Sequence, residues 1–167
     1  MLAGLRAAAY GIPFQPIRGF RGSDIPERSG ILPIEDPYTG ETLFAVPALR
    51  PDWALIHVQR ADAEGNAWIL GNRHFDVEMT RAAARGVILT AEEIVPGEEI
   101  ARDPGMTAIP GFLVRAVAEA PGGAWPCSCH PAYGVDEEGM RRYMELSASA
   151  EGLERYLRET APKAAAR

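Results

Sequence analysis

The chain has 167 residues, 47% of them apolar and 24% charged, a balance normal for a globular protein able to bury a core. Its 17 basic and 23 acidic side chains leave a net charge of −6, which excludes broad nucleic-acid binding, since that needs a basic face to displace counterions from phosphates. No apolar run approaches the roughly 20 residues of a membrane helix, and Arg6 sits inside the N-terminal apolar stretch where a secretory signal runs unbroken, so the cytoplasm is the expected compartment.

Residues 2 to 10 read as a helix, with Leu2, Leu5 and Ala9 on one stripe and Gly11 as its stop. From Ile12 to Ile34 the chain is rich in Pro, Gly and Arg with little periodicity and reads as a long irregular segment. Asp36 to Gly40 is a turn signal; Glu41 to Val46 follows as a strand that Pro47 ends. Trp53 to Val58 is a short apolar run suited to a buried strand, Asp62 to Asn66 is a turn, and Ala67 to Leu70 is a short strand. Between His74 and Arg85 the side chains Phe75, Met79, Ala82 and Ala83 make one helical face, with Gly86 as its cap, and Val87 to Thr90 is the next buried strand. Strand, helix, strand in that order predicts a parallel α/β sheet. Ile109 to Val117 suits either a buried strand or a short helix behind Pro110. A Gly/Pro-rich loop from Pro121 to Tyr133 leads to two helices. Asp136 caps the first, with Met140, Tyr143, Met144 and Leu146 inward; Ser149 caps the second, with Leu153, Tyr156 and Leu157 on one stripe. One domain over 1–161 is expected, with a frayed tail from 162 to 167.

Cys127-Ser128-Cys129-His130 offers metal-ligand types, but a structural zinc site needs four ligands at wider spacing, so a packed loop and no metal is the expectation. One intervening residue also makes a Cys127–Cys129 disulfide strained. His57, mid-strand, reads as a buried, hydrogen-bonded histidine. Glu92 and Glu93 close the strand from Val87, at the end where parallel sheets place ligands. Adjacent strand residues point to opposite faces, so at most one of the two faces a site; alternatively Thr90 and Glu93 form a helix capping box. Asp62 and Asn66 need nothing beyond turn chemistry. These residues alone name no reaction.

The segment from Pro47 to Asn66 resembles the A (alpha) subunit of family I CoA-transferases, in which a PA-x-x-PD entry leads through a buried strand to an AD-x-x-GN turn. The resemblance continues through Phe75, Met79, Ala82-Ala83, the strand Val87 to Thr90, Glu92-Glu93-Ile94-Val95 and the IPG-F-x-V segment from Ile109 to Val114. Glu119 to Cys129 is similar to the EAP-x-GA-x-P-x-SC segment of the glutaconate CoA-transferase-like branch, which includes steroid-ring-degrading hydrolases. Leu2 to Asp24 also fits that branch, where a GLRAAA-x-G-x-PF segment leads into an arginine and glycine loop. The resemblance covers roughly residues 2 to 145.

This resemblance implies a partial parallel-sheet α/β domain of the NagB/RpiA/CoA-transferase-like type with C-terminal helices, lacking the family's N-terminal half and its glycine-rich CoA loop. It implies work with a B (beta) subunit that carries the nucleophilic glutamate, so no catalytic residue is assigned here. Glu92, Glu93, Asp62 and Asn66 are the candidates for the substrate or CoA pocket. Acyl-CoA and a carboxylic acid are the implied substrates, coenzyme A being substrate rather than cofactor, and the implied chemistry is ping-pong through a mixed anhydride and an enzyme–CoA thioester. A related ring-opening hydrolase subunit, or a non-catalytic remnant that assembles with itself, are the alternatives.

Overall fold

The structure, a computed structural model, describes residues 1–160, so the tail expected from 162 to 167 lies outside the described residues. Two compact units meet in sequence at Pro121 and Gly122. The first opens with helix α1 (Leu2–Ala9), which buries Leu5, Ala7 and Ala8, and Gly11 follows it at φ +70°.

The segment expected to be irregular is not. It contains strand β1 (Phe14–Ile17), helix α2 (Ile25–Ser29) and strand β2 (Leu32–Glu35), and both strands pair antiparallel with β3 (Thr42–Pro47) in the order β1-β3-β2. Pro16 and Pro33 remove a ladder donor from each outer strand, and an edge is where a sheet tolerates that loss. The Pro-rich composition hid strands that only their shared partner β3 reveals.

The second sheet positions the candidate residues. Strand β4 (Trp53–Ala61) is followed by β5 (Ala67–Trp68), helix α3 (Asp76–Ala82), β6 (Gly86–Ile94), helix α4 (Gly97–Arg102), β7 (Thr107–Ile109) and β8 (Val114–Glu119). Their order is β7-β5-β4-β6-β8, with β6 parallel to both β4 and β8 and with β5 antiparallel to β4 and β7. The expected α/β class with a parallel sheet is therefore present, with short antiparallel strands added on one side.

Alternation along the strands gives this sheet two unlike faces. Ala54, Ile56, Val58, Val87, Leu89 and Ala91 face one side and are buried, with Met79 and Ala83 packed against them. Leu5 and Ala8 of α1 meet Ala82 of α3 behind that layer. On the other face Leu55 pairs in register with Ile88, yet Leu55 is 73% exposed and Ile88 38%.

Several boundaries differ from expectation: β4 runs past Val58 to Ala61, and β5 ends at Trp68 short of Leu70. Helix α3 starts after His74 and Phe75 and ends at Ala82, because Ala83 is extended and the N–H groups of Ala84 and Arg85 donate to the carbonyls of Pro51 and Asp52. Gly86 is accordingly the first residue of β6, not a helix cap. Strand β6 runs on past the end of its β8 ladder at Ala91 to Ile94 because β4 still pairs with it, Arg60 opposite Glu93 and Ala61 opposite Ile94, so Thr90 and Glu93 form no capping box. Ile109 to Val117 divides between both readings, with a 3-10 turn at Gly111–Leu113 and then β8.

The second unit holds helices α5 (Glu137–Leu146) and α6 (Ala150–Thr160). Asp136 caps α5 through the Gly139 N–H at 2.9 Å, and the Ser149 hydroxyl accepts from the Gly152 N–H at 3.1 Å. Tyr156 is the buried side chain of the pair, stacked with Trp125 and edge-on to Tyr143. Met144 and Leu157, expected inward, are exposed. No described helix is long and apolar enough to cross a membrane.

Candidate functional site

The sequence candidates fall in two places near the carboxyl ends of β4 and β6. The first is the turn after β4. Asp62, 4% exposed, accepts the N–H of Glu64 (3.0 Å) and of Asn66 (2.9 Å) on Oδ1 and the Asn66 side-chain amide (2.9 Å) on Oδ2. Asn66 Oδ1 then accepts the Gly111 N–H at 2.8 Å, which ties this turn to the one before β8. The two glycines are steric requirements. Gly65 lies at φ +86° where a Cβ would come within 2.6 Å of Val114 Cβ, and a Cβ on Gly111 would meet the Glu64 carbonyl oxygen at 2.5 Å. The AD-x-x-GN and IPG segments are thus two halves of one latch. A cleft of about 420 Å³ beside it is lined by Asp62, Ala63, Glu64, Asn66, Gly97 and Ala101.

The second place is the face of the parallel strands that also carries Leu55 and Ile88. The parallel register puts His57 opposite Thr90. His57 Nδ1 lies 2.9 Å from Thr90 Oγ1 and Nε2 lies 2.7 Å from Glu92 Oε1, with the His57 and Glu92 side chains 17% and 13% exposed. The imidazole is therefore held from both ends, and each hydrogen bond fixes what the opposite nitrogen offers. Glu93 points to the opposite side, as strand alternation requires. Its carboxylate sits 3.1 Å from Arg60 Nε, and Arg60 Nη1 reaches Glu99 at 2.8 Å. These side chains are about half-exposed, so the pairs contribute little to stability.

The structure thus separates the four candidates. Asp62 and Asn66 form the latch and line the cleft beside it, Glu93 pairs with Arg60, and Glu92 shares the other face with His57 and Thr90. Sequence reasoning took His57 as a buried, hydrogen-bonded histidine without naming its partners and used Thr90 only as a capping alternative. The signal that joins them is the β4–β6 register, which cannot be read before the strands are paired.

In the C-terminal unit Cys127 and Cys129 form no disulfide, and Cys129 exchanges two 3.1 Å backbone hydrogen bonds with Tyr133. A cleft of about 570 Å³ there is walled by Trp125, Tyr133 and Val135. Its one carboxylate, Asp136, is engaged by the Gly139 N–H and the Trp125 indole, which hold it below the usual carboxylate range.

The pattern of the family described as Coenzyme A transferase matches residues 1–120. The A subunit of glutaconate CoA-transferase from Acidaminococcus fermentans is 36% identical over 92% of this chain and 53% of its own length. The cholesterol ring-cleaving hydrolase IpdA subunit of Mycobacterium tuberculosis is 35% identical over 92% of this chain and 56% of its own. The crystal structure of the Acidaminococcus glutaconate coenzyme A-transferase superposes with a TM-score of 0.86 at 34% identity, over 95% of this chain and 55% of that one. The chain spans about half the length of these relatives. A pattern running through α1, both sheets and the Asp62–Gly111 latch, with a fold to match, assigns the protein: the chain belongs to the coenzyme A transferase family.

Proposed function

We propose that this chain acts as an A subunit, or part of one, of a CoA-transferase that moves coenzyme A between an acyl-CoA and a carboxylic acid. A B-type partner supplies the catalytic glutamate. The observation that carries this reading is the similarity to the glutaconate CoA-transferase A subunit over 92% of the chain. In such a reaction the partner's carboxylate attacks the thioester carbonyl and expels the CoA thiolate, leaving a mixed anhydride. The thiolate then attacks the glutamyl carbonyl of that anhydride, releasing the donor acid and leaving an enzyme–CoA thioester. The acceptor carboxylate repeats the sequence in reverse.

This chain's part is the wall against which the acyl group is aligned. Glu92 and His57 supply its polar spot: they are hydrogen-bonded to each other, largely buried, and share a face of the parallel strands with the exposed Leu55. Asp62 and Asn66 act through the fold, holding the loops at the carboxyl ends of β4 and β7.

The test is to purify the assembly containing this chain and a B-type subunit, then assay CoA movement from an acyl-CoA to added carboxylic acids. Transfer that depends on the acceptor is expected. The likeness to the ring-cleaving hydrolase gives the rival outcome a specific form: steady release of free acid without an acceptor would replace transfer by hydrolysis.

A further inference from the structure

Between Gly122 and Asp136 the chain folds into a small aromatic cleft, and every residue that lines it belongs to the C-terminal unit. Its volume of about 570 Å³ falls within the roughly 300–1,000 Å³ of small-molecule clefts. Two rings wall it, and each is held from more than one side. The Tyr133 hydroxyl accepts the Ala124 N–H at 2.9 Å, and the Tyr133 backbone exchanges two hydrogen bonds with Cys129. The Trp125 indole donates to Asp136 Oδ2 at 2.9 Å, its backbone N–H donates to the Gly122 carbonyl, and Tyr156 lies parallel to it within 7°. Trp125 nonetheless stays 42% exposed and Val135 57%. An apolar wall that is fixed and yet left in water is ready for a ligand, because folding has already ordered it.

Charge decides which ligand fits. Asp136 is the carboxylate of the lining, and it accepts one N–H on each oxygen, from Gly139 on Oδ1 and from the Trp125 indole on Oδ2. A carboxylate offers about four acceptor sites, so both oxygens keep capacity for a further donor. The Gly139 N–H and the indole also keep the group ionised, holding its pKa below the ordinary carboxylate value. From Pro121 to Asp136 the chain carries no lysine or arginine, and His130 is outside the lining. The amino end of α5 adds a partial positive charge of about half a unit, which Asp136, Glu137 and Glu138 together outweigh. Arg142, farther along α5, is ion-paired with Glu159. A carboxylate beside two aromatic rings suits a cation, since the ring quadrupoles and the fixed charge attract the same ligand. Two neighbouring oxygens suit a planar fork of N–H donors better than a compact ammonium. We infer that the cleft between Trp125 and Tyr133 binds a small organic cation of the amidinium or guanidinium type, its fork on Asp136 and its apolar body against Trp125, Tyr133 and Val135. The inference does not rest on the transfer reaction, and each is tested without the other.

Benzamidine, benzamide and benzoate share one shape and differ in charge, so they are the probes, titrated into the 167-residue chain by calorimetry and indole fluorescence. Benzamidine is expected to bind with a Kd of about 1 mM or tighter. Benzamide should bind at least about tenfold more weakly and benzoate not at all. Trp125→Phe should remove the fluorescence response, which assigns it to this indole and not to Trp53 or Trp68. Asp136→Asn keeps an acceptor for the Gly139 N–H; it should weaken benzamidine at least about tenfold and leave benzamide unchanged, a split that lost structure would not produce. Val135→Lys, at the exposed rim, should weaken benzamidine through like charge, whereas Glu145→Gln, in α5 but outside the lining, should not. The proposal is overturned by any of three results: no saturable binding of benzamidine at about 10 mM, benzamide or benzoate bound as tightly, or a benzamidine affinity that Asp136→Asn leaves unchanged.

Discussion

The Asp62–Asn66 turn and the His57–Thr90–Glu92 group lie only a few residues apart along β4 and β6, and both are built from side chains that invite a catalytic reading. They are nevertheless opposites. In the turn the Asp62 carboxylate and the Asn66 amide are consumed by neighbouring backbone and side-chain groups, and the glycines leave no room for a Cβ. In the second group the hydrogen bonds run between side chains on the sheet face that also carries Leu55, so they hold an orientation and do not close a loop. A recurring sequence pattern can therefore mark a folding device as readily as a site, and the partner atoms decide which it is.

The largest effect expected from breaking this contrast is Asp62→Ala. It takes the acceptor from two part-buried backbone N–H groups and an amide, and should cost about 3 kcal/mol, lowering the unfolding midpoint by about 10 °C. A calorimetric shift of only a degree or two would mean the latch is replaceable. Gly65→Ala comes next, at about 2 kcal/mol, because the left-handed backbone and the Val114 contact penalise the same methyl group. Chemical denaturation should show this loss with an unchanged denaturant slope.

A smaller effect belongs to the C-terminal unit. Asp136→Ala removes the α5 cap and should lower the unfolding midpoint by less than Gly65→Ala does. Asp136→Asn, which keeps an acceptor, sharpens the point through pH. The Gly139 N–H first, and the Trp125 indole second, hold the folded Asp136 below its ordinary pKa. That stabilisation is present above the ordinary value and is lost as pH falls through the depressed one. Between about pH 4 and pH 2 the wild type should therefore lose stability more steeply than Asp136→Asn; parallel curves would contradict the assignment.

Much of the sheet was legible because β4 and β6 are apolar runs separated by a helical stripe, a pattern that survives without knowledge of partners. The latch was legible as a turn, since Asp, Gly and Asn carry their chemistry locally, but its tie to Gly111 joins residues 45 positions apart. Strands β1 and β2 were hidden by Pro16 and Pro33, which read as breakers until β3 makes both strands edges. The His57–Glu92 pair was hidden for a related reason. Two residues 35 positions apart become neighbours only through a parallel register, and no local propensity reports that register. Met144 and Leu157 show the reverse error, where helical periodicity promised burial that the packing of α5 and α6 does not deliver.

The contrast between the latch and the His57–Glu92 pair is tested most directly by Glu92→Gln in the assembly with a B-type subunit, with CoA transfer and thermal midpoint measured on the same preparation. Glutamine keeps the size of the side chain and an acceptor for His57, so the midpoint should stay within a degree or two while kcat for transfer falls at least about tenfold. Unchanged transfer, or a fall in transfer matched by a fall in midpoint like that of Asp62→Ala, would contradict the account.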